Sequence, residues 1–428
     1  MRVRVPGDKS LSQRALILAT LAEGESRLSG LLHGGDAEST AGALRALGAE
    51  IPELPADGSE IRIRGVGLRG LRAPSDALDL GNSGTGTRLL TGVLAGSGCT
   101  ATLDGDASLR SRPMARVTTP LALMGARFEH AAVSGRLPMT VFGRHPLEAL
   151  DWASPVASAQ VKSAILLAGL TGGAFALVSE PRTSRDHTER LLRSVGVSVV
   201  SHATSEGWRV ELRDPPARID ALDFDVPGDV SSAAFVLALA ALGGAGESVT
   251  IEGVGLNPTR TAFLDVLRRM GAEVSVERTT PDDAAEPAGD VYVAPAELKA
   301  VVIGADEVPN LIDELPLIAA LGARAEGTTR ITGAEELRAK ESDRIHAMVT
   351  NLRSLGVEVS EKPDGLEVEG SDMPLRGSVE TFHDHRIAMS FGVLGMLAGS
   401  DVLVDDPSVA DVSFPGFAAL LSRLQAVV

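Results

Sequence analysis

The chain has 428 residues, 44% of them hydrophobic, a length that allows two or three domains. Its formal charge of −17 at pH 7 excludes general nucleic-acid binding, which needs a basic face, and fits a self-repelling, soluble cytoplasmic protein. Only 3% is aromatic while Gly and Ala abound, so the cores must be close-packed from Leu, Val, Ile and Ala.

Met1-Arg-Val-Arg-Val-Pro6 reads as a strand and lacks the apolar stretch of a signal peptide. Six apolar helical runs follow, each opening on a polar cluster and closing near a glycine. They are Ser10–Gly24, Ser83–Gly96, Ser158–Gly172, Ser231–Gly244, Asp313–Gly327 and Asp384–Gly399. They recur at intervals of about 75 residues, longer than a solenoid repeat, which predicts six small α/β layers. Each run leads into a short strand, such as Thr100–Leu103 or Asp401–Val404, then a polar loop and a second helix. Five of the second helices stop at Gly48, Gly125, Gly196, Gly271 and Gly356, where a left-handed residue is expected; the sixth copy closes at Leu420–Val428.

The first helix of each copy is apolar nearly all round, as in Phe235-Val-Leu-Ala-Leu-Ala240, which predicts helices inside and sheets outside. Six copies exceed one core, so three and three is the expected division, with a hinge near Asp225–Gly228. The acidic stretch Thr279–Gly289 reads as an exposed insertion. The most apolar run, Ala233–Leu242, is too short to span a bilayer, so no membrane embedding is expected. Cys99 is the single cysteine; a disulfide and a cysteine metal site are excluded, and a buried inert thiol is expected.

The chemistry gathers where the buried helices begin: Pro6-Gly-Asp-Lys-Ser-Leu-Ser-Gln-Arg14, Gly81-Asn-Ser-Gly-Thr-Gly-Thr-Arg88, Ser158-Ala-Gln-Val-Lys162 and Gly228-Asp-Val-Ser-Ser232. Free N–H groups and a partial positive charge make such ends anion sites, although Ser and Asp there also serve as ordinary caps. Further cations precede the second helices in Ser111-Arg-Pro113, Ser184-Arg-Asp186, Thr259-Arg-Thr261 and Lys340-Glu-Ser-Asp-Arg344, and Arg386 heads the sixth buried helix. Singly, each reads as a solvated or paired surface residue; together they form a field for carboxylates and phosphates. Lysine is scarce (Lys9, Lys162, Lys299, Lys340, Lys362), so a lysine kept amid many arginines draws notice.

Two carboxylates stand among the cations. Asp313 reads as a base or as the cap of the fifth helix, and Glu341 as an acid or as a partner of Arg344. His383 and His385 flank Asp384, but a metal needs a third ligand that no other His-rich segment supplies; capping by Asp384 is expected, and no metal. Walker, nucleophile-elbow and dinucleotide signatures are missing from the sequence.

These segments, together with Arg185-Asp-His-Thr-Glu189 and Ser413-Phe-Pro415, resemble the 5-enolpyruvylshikimate-3-phosphate synthase family in order and over essentially the whole chain. The resemblance implies an inverse α/β barrel fold: two similar globular domains, each of three βαβαββ units with buried helices and outer sheets. It implies residues 8–226 as one domain, 1–7 with 227–428 as the other, and an interdomain active site. The implied enzyme, a 3-phosphoshikimate 1-carboxyvinyltransferase, moves the enolpyruvyl group of phosphoenolpyruvate to the 5-hydroxyl of shikimate 3-phosphate and releases phosphate. It works without a cofactor, on small-molecule substrates, as a monomer.

Carried over by position, Lys9, Ser10 and Arg14 are implied to anchor shikimate phosphate, with Lys9 also reaching phosphoenolpyruvate and joining catalysis. Ser158, Ala159 and Gln160 would hold the 3-phosphate and ring, with Arg185 as a further phosphate contact. Gly84, Arg112, Arg344 and Arg386 match phosphoenolpyruvate positions. Asp313 would take the 5-hydroxyl proton beside Lys340, and Glu341 would protonate the methylene carbon. Two departures stand out: Ala159 where many members have a second Ser, and Val412 where many have Lys. Gly84 is the small residue of inhibitor-sensitive members, which implies a glyphosate target. The rival readings are the sister transferase acting on UDP-N-acetylglucosamine, which opens with Lys-Asn where this chain has Lys9-Ser10, and a catalytically idle anion-binding protein.

Overall fold

Six helices begin at polar segments and are buried along most of their length in the computed structural model, which describes residues 1–425. α1 (Lys9–Leu21), α2 (Gly84–Ser97) and α3 (Ala159–Gly172) belong to one compact unit, Gly7–Val226. α4 (Val230–Ala241), α5 (Leu315–Gly322) and α6 (His385–Gly395) belong to the other, Met1–Pro6 with Pro227–Val428. Every residue of α4 is buried, as the lack of a polar face requires.

Small residues set the helix spacing. A Cβ built on Gly92 of α2 would lie 2.2 Å from the Ala164 carbonyl oxygen of α3, and one on Gly96 would lie 2.4 Å from the Gly172 nitrogen. The abundance of Gly and Ala is therefore a packing requirement: buried helices this close leave no room for side chains between their backbones. In the other unit bulk returns, and Phe235 of α4 meets Phe417 edge-to-face with ring centroids 6.0 Å apart.

The sheets repeat one pattern. Leu78–Asp79 runs parallel to Thr100–Asp104, which pairs antiparallel with Met139–Phe142, which pairs antiparallel with Arg127–His130. The same order recurs in Leu150–Ala153, Ala176–Glu180, Gly207–Leu212 and Val199–Thr204, and in Val302–Ile303, Thr328–Ile331, Gly365–Glu369 and Val359–Lys362. Among the described residues the sheets remain separate and open, so no continuous ring of strands closes around the helices.

The first and fourth copies exchange their opening strands. Arg2–Val3, which precedes α1, pairs in parallel with Val249–Gly255 of the fourth copy. Asp223–Asp225, which precedes α4, pairs in parallel with Glu25–Ser29 of the first. The chain thus passes between the units twice, at Pro6–Gly7 and at Val226–Pro227.

The expected helix stops are present: Gly48, Gly125, Gly196, Gly271 and Gly356 all have positive φ, between 80° and 102°. Two expectations need correction. Asp313 does not open the fifth helix; a short helix, Val308–Leu311, precedes it, and α5 starts after Glu314 with Pro316 in its first turn. Nor is Thr279–Gly289 wholly exposed, because Glu286 is buried and accepts a 3.0 Å hydrogen bond from Asn257 Nδ2. The end of the sixth copy, 426–428, lies outside the described residues. No described helix is long and apolar enough to cross a membrane.

Gly92→Val must push α2 from α3, and we expect a loss of about 3 kcal/mol of stability, read from urea unfolding; an unchanged midpoint contradicts this packing.

Candidate active site

In the Gly7–Val226 unit the N-termini of three buried helices are tied together by their own polar residues. Arg14 of α1 donates through Nε to Thr188 Oγ1 (2.7 Å) and through Nη2 to Ser163 Oγ of α3 (3.1 Å). Arg88 of α2 donates to Gln160 Oε1 of α3 (2.8 Å), and Gln160 Nε2 returns a bond to Thr85 Oγ1 (3.0 Å). The same helix ends are also capped: Asp8 accepts from the Leu11 amide, and Ser83 from the Gly86 amide. Capping and cation placement therefore coexist, and the two readings of these segments are not exclusive.

The remaining residues fall around them. Lys9 pairs with Asp36 at 3.1 Å, and the Ser10 carbonyl accepts from Arg14 Nη1 at 2.9 Å. Arg112 follows the short helix Ala107–Ser111 and donates to Asn82 and to Ser108 Oγ, beside the first residue of α2, Gly84. Ser158 caps α3, Ala159 begins it, and Arg185 sits in the loop between Glu180 and His187.

Beneath Ser158 lies a charge cluster that sequence reasoning did not assemble. Lys162 is wholly buried; its Nζ is 3.2 Å from Glu180 and 2.8 Å from Glu189, both buried as well. Burial alone would drive the ammonium toward neutrality, but Glu189 and Glu180 win and hold its pKa above the ordinary lysine range.

The second unit repeats the geometry with carboxylates interleaved. Arg344, 1% exposed, is held by Asp384 through Nε at 2.8 Å and Nη2 at 3.2 Å, and donates to Glu341 Oε2 at 2.7 Å. Burial opposes the guanidinium charge, yet Asp384, Glu341 and Asp313 outweigh it and raise its pKa above the usual arginine range. Asp384 also caps α6 by accepting from the Arg386 amide at 2.9 Å. Desolvation disfavours its charge, and Arg344 reverses this, so its pKa lies below the ordinary carboxylate range.

Asp313, released from capping, sits in the turn before α5 with its Oδ1 3.8 Å from both Arg344 Nη1 and Arg386 Nε. Arg386 Nη1 further donates to the Asp313 carbonyl at 3.1 Å. Glu341 and Asp313 are thus brought to one arginine, as an acid–base pair acting on neighbouring atoms requires. Lys340 instead reaches Glu336 at 2.8 Å. Arg260, expected as an exposed loop cation, is buried, 2.6 Å from Ser231 Oγ, which in turn donates to Glu314.

Each half therefore comprises three copies of a buried helix behind an outer sheet, with charged groups at the helix N-termini; this is the enolpyruvyl transferase fold. It is shared with the enolpyruvyl transferase NikO from Streptomyces tendae (TM-score 0.72, 21% identity, covering 99% of this chain and 94% of that one). An EPSP synthase from Acinetobacter baumannii is nearer, with a TM-score of 0.86 and 39% identity over 99% of this chain and 95% of that one. The family model of EPSP synthase (3-phosphoshikimate 1-carboxyvinyltransferase) matches residues 1–421. Relatives named 3-phosphoshikimate 1-carboxyvinyltransferase are 49% identical in Gloeobacter violaceus and 50% identical in a strain of Thermus thermophilus, each over 99% of this chain and 96% of theirs. The chain belongs to the EPSP synthase family.

Because the Asp384 pKa is lowered in the folded state, its stabilising contribution is complete above the unfolded value of about 4 and fades as pH falls below it. Asp384→Asn should cost about 3 kcal/mol at pH 7, since it strips Arg344 of its main buried partner. The gap from the unsubstituted protein should narrow toward about pH 3, below the ordinary carboxylate value, as measured by chemical denaturation across pH.

Proposed function

We infer that the protein is a 3-phosphoshikimate 1-carboxyvinyltransferase: it transfers the enolpyruvyl group of phosphoenolpyruvate to the 5-hydroxyl of shikimate 3-phosphate and releases phosphate. Membership of the EPSP synthase family over residues 1–421 supports this reading of the reaction. The observation that carries the chemistry is the placement of Asp313 and Glu341 around the buried Arg344. Addition followed by elimination needs a proton taken from the acceptor hydroxyl, a proton given to the methylene carbon, and compensation of the charge between them. In this proposal Asp313 takes the first proton, Glu341 gives the second, and Arg344 and Arg386 hold the phosphoenolpyruvate anion.

The other half of the substrate-binding set lies in the Gly7–Val226 unit. Lys9, Ser10, Arg14, Ser158, Ala159, Gln160 and Arg185 take shikimate 3-phosphate, and Gly84 with Arg112 and Lys9 takes phosphoenolpyruvate. Lys9 and Lys340 assist the proton transfers. The proposal draws residues from both units, so neither unit alone should turn over. No cofactor enters it, and a cytoplasmic monomer is the form in which we place the activity, in aromatic amino acid biosynthesis.

Phosphate release from phosphoenolpyruvate, with shikimate 3-phosphate or UDP-N-acetylglucosamine as acceptor, tests the assignment. Turnover with the sugar alone would move the chain to the sister activity, and turnover with neither would leave an anion-binding protein. Asp313→Ala and Glu341→Ala should each lower kcat at least about a hundredfold, within the range of general acid–base contributions. A fully active variant refutes that residue's role.

Gly84 provides a second, independent test. A Cβ there would lie 2.9 Å from Nη1 of both Arg88 and Arg112. The guanidinium tips must then shift, and that of Arg112 is what the proposal places against phosphoenolpyruvate. Gly84→Ala should therefore raise KM for phosphoenolpyruvate more than KM for shikimate 3-phosphate, which feels the shift only through the Arg88–Gln160 bond. Competitive inhibition by glyphosate should weaken in parallel, whereas inhibition that is insensitive to the substitution would detach Gly84 from that site.

A further inference from the structure

The buried lysine under the phosphate-binding segment has no part in the mechanism above, yet its contacts are aimed at that segment. Lys162 lies in α3 one turn past the cap Ser158. Its two carboxylate partners come from opposite sides of a single loop: Glu180 ends the strand Ala176–Glu180, and Glu189 lies in the first turn of the helix His187–Ser194. Between them runs 181–186, the loop that carries Arg185. One ammonium thus holds both ends of that loop, and it also donates to the loop itself, at the Ser184 carbonyl (3.3 Å).

Glu180 makes the connection to the cap. Its Oε1 accepts the Ser158 amide at 2.7 Å, and its Oε2 accepts the Ser184 hydroxyl at 2.7 Å. A single carboxylate therefore sets the distance between the α3 cap and the Arg185 loop. Thr188, beside Glu189, closes the circuit by bonding Ser163 Oγ (2.7 Å) and Arg14 Nε (2.7 Å).

We propose that Glu180, held by the buried Lys162–Glu189 pair, is a positioning residue that fixes Ser158 and the Arg185 loop at the spacing a phosphate monoester requires. The proposal rests on the reading that these segments bind shikimate 3-phosphate. Charge explains why the design uses a lysine. A bare carboxylate behind an anion site would repel the ligand, whereas one whose charge is partly offset by the ammonium it shares with Glu189 repels it less and still acts as a two-point hydrogen-bond acceptor. Desolvated ion pairs also suit a fixed geometry better than a stabilising one, because their attraction is spent largely on removing both charges from water.

Two variants test it in the full-length enzyme. Glu180→Gln keeps the volume and one acceptor oxygen but loses the second, and it leaves Lys162 paired with Glu189. Ser184→Ala removes only the loop's hydroxyl and leaves the buried charges untouched, so it carries the test if Glu180→Gln does not fold. Each should raise KM for shikimate 3-phosphate, roughly tenfold to a hundredfold for Glu180→Gln as expected for a displaced binding group, and less for Ser184→Ala. KM for phosphoenolpyruvate and the thermal midpoint of Ser184→Ala should stay at the unsubstituted values. Calorimetric titration with shikimate 3-phosphate alone should show the same loss of affinity. The inference is overturned if the unsubstituted enzyme turns over and folded variants bind both substrates normally, or lose affinity for both alike. Failure of the unsubstituted enzyme to act on shikimate 3-phosphate instead overturns the functional reading itself.

Discussion

A helix buried along its whole length carries its unpaired first N–H groups and its positive end into the interior, and much of this protein follows from that constraint. α1, α2, α3, α4 and α6 each have a cap whose side chain accepts an amide: Asp8, Ser83, Ser158, Asp229 and Asp384. Helices grouped by threes and enclosed by sheets place these ends near one another. Polar and charged side chains then have one region in which to gather, and the rest of each unit can be apolar. The gathering of charged groups at the helix N-termini is thus a product of inverting the usual order of layers, with helices innermost.

The two units use the same scaffold for different electrostatic ends. Around α1, α2 and α3 the cations Lys9, Arg14, Arg88 and Arg112 gather at the helix N-termini, Lys9 paired with Asp36, and the buried Glu180 and Glu189 share Lys162. Around α4, α5 and α6 carboxylates stand among the arginines, and Arg344 alone meets Asp384, Glu341 and Asp313. Such burial does not add much stability, because the desolvation of each charge cancels most of its attraction. Its effect is orientation: Arg344 has few geometries in which three carboxylates can be satisfied, so Asp313 and Glu341 inherit a fixed frame.

The repeat is legible in the sequence because it is written in hydrophobic periodicity and in one glycine in each of five copies, both local signals. The five helix stops at Gly48, Gly125, Gly196, Gly271 and Gly356 are cases in which a single backbone conformation demands a residue type. The start of α5 is misleading because Asp313 imitates a cap, while the turn at Ile312–Glu314 and Pro316 push the true start downstream. Charge partners are hardest to see. Arg344 and Asp384 lie 40 residues apart, and nothing in spacing joins them. Asp384 reads as a cap only, which it is, but its larger role as the counter-ion of Arg344 needs the fold. Lys162 is conspicuous for being a lysine among arginines, although the identity of its two partners comes only with the strand and helix that deliver them.

The exchanged strands bear on how such a chain is made. Arg2–Val3 is synthesised about 250 residues ahead of its partner Val249–Gly255, a contact of very high sequence separation. At ordinary translation speeds of about 5–20 residues per second that interval is tens of seconds. Asp223–Asp225, by contrast, arrives last in its own unit and joins a sheet already waiting at Glu25–Ser29. The Gly7–Val226 unit can therefore complete itself while the N-terminal strand is still unpaired, and synthesis imposes an order of assembly on two halves that the finished topology treats alike.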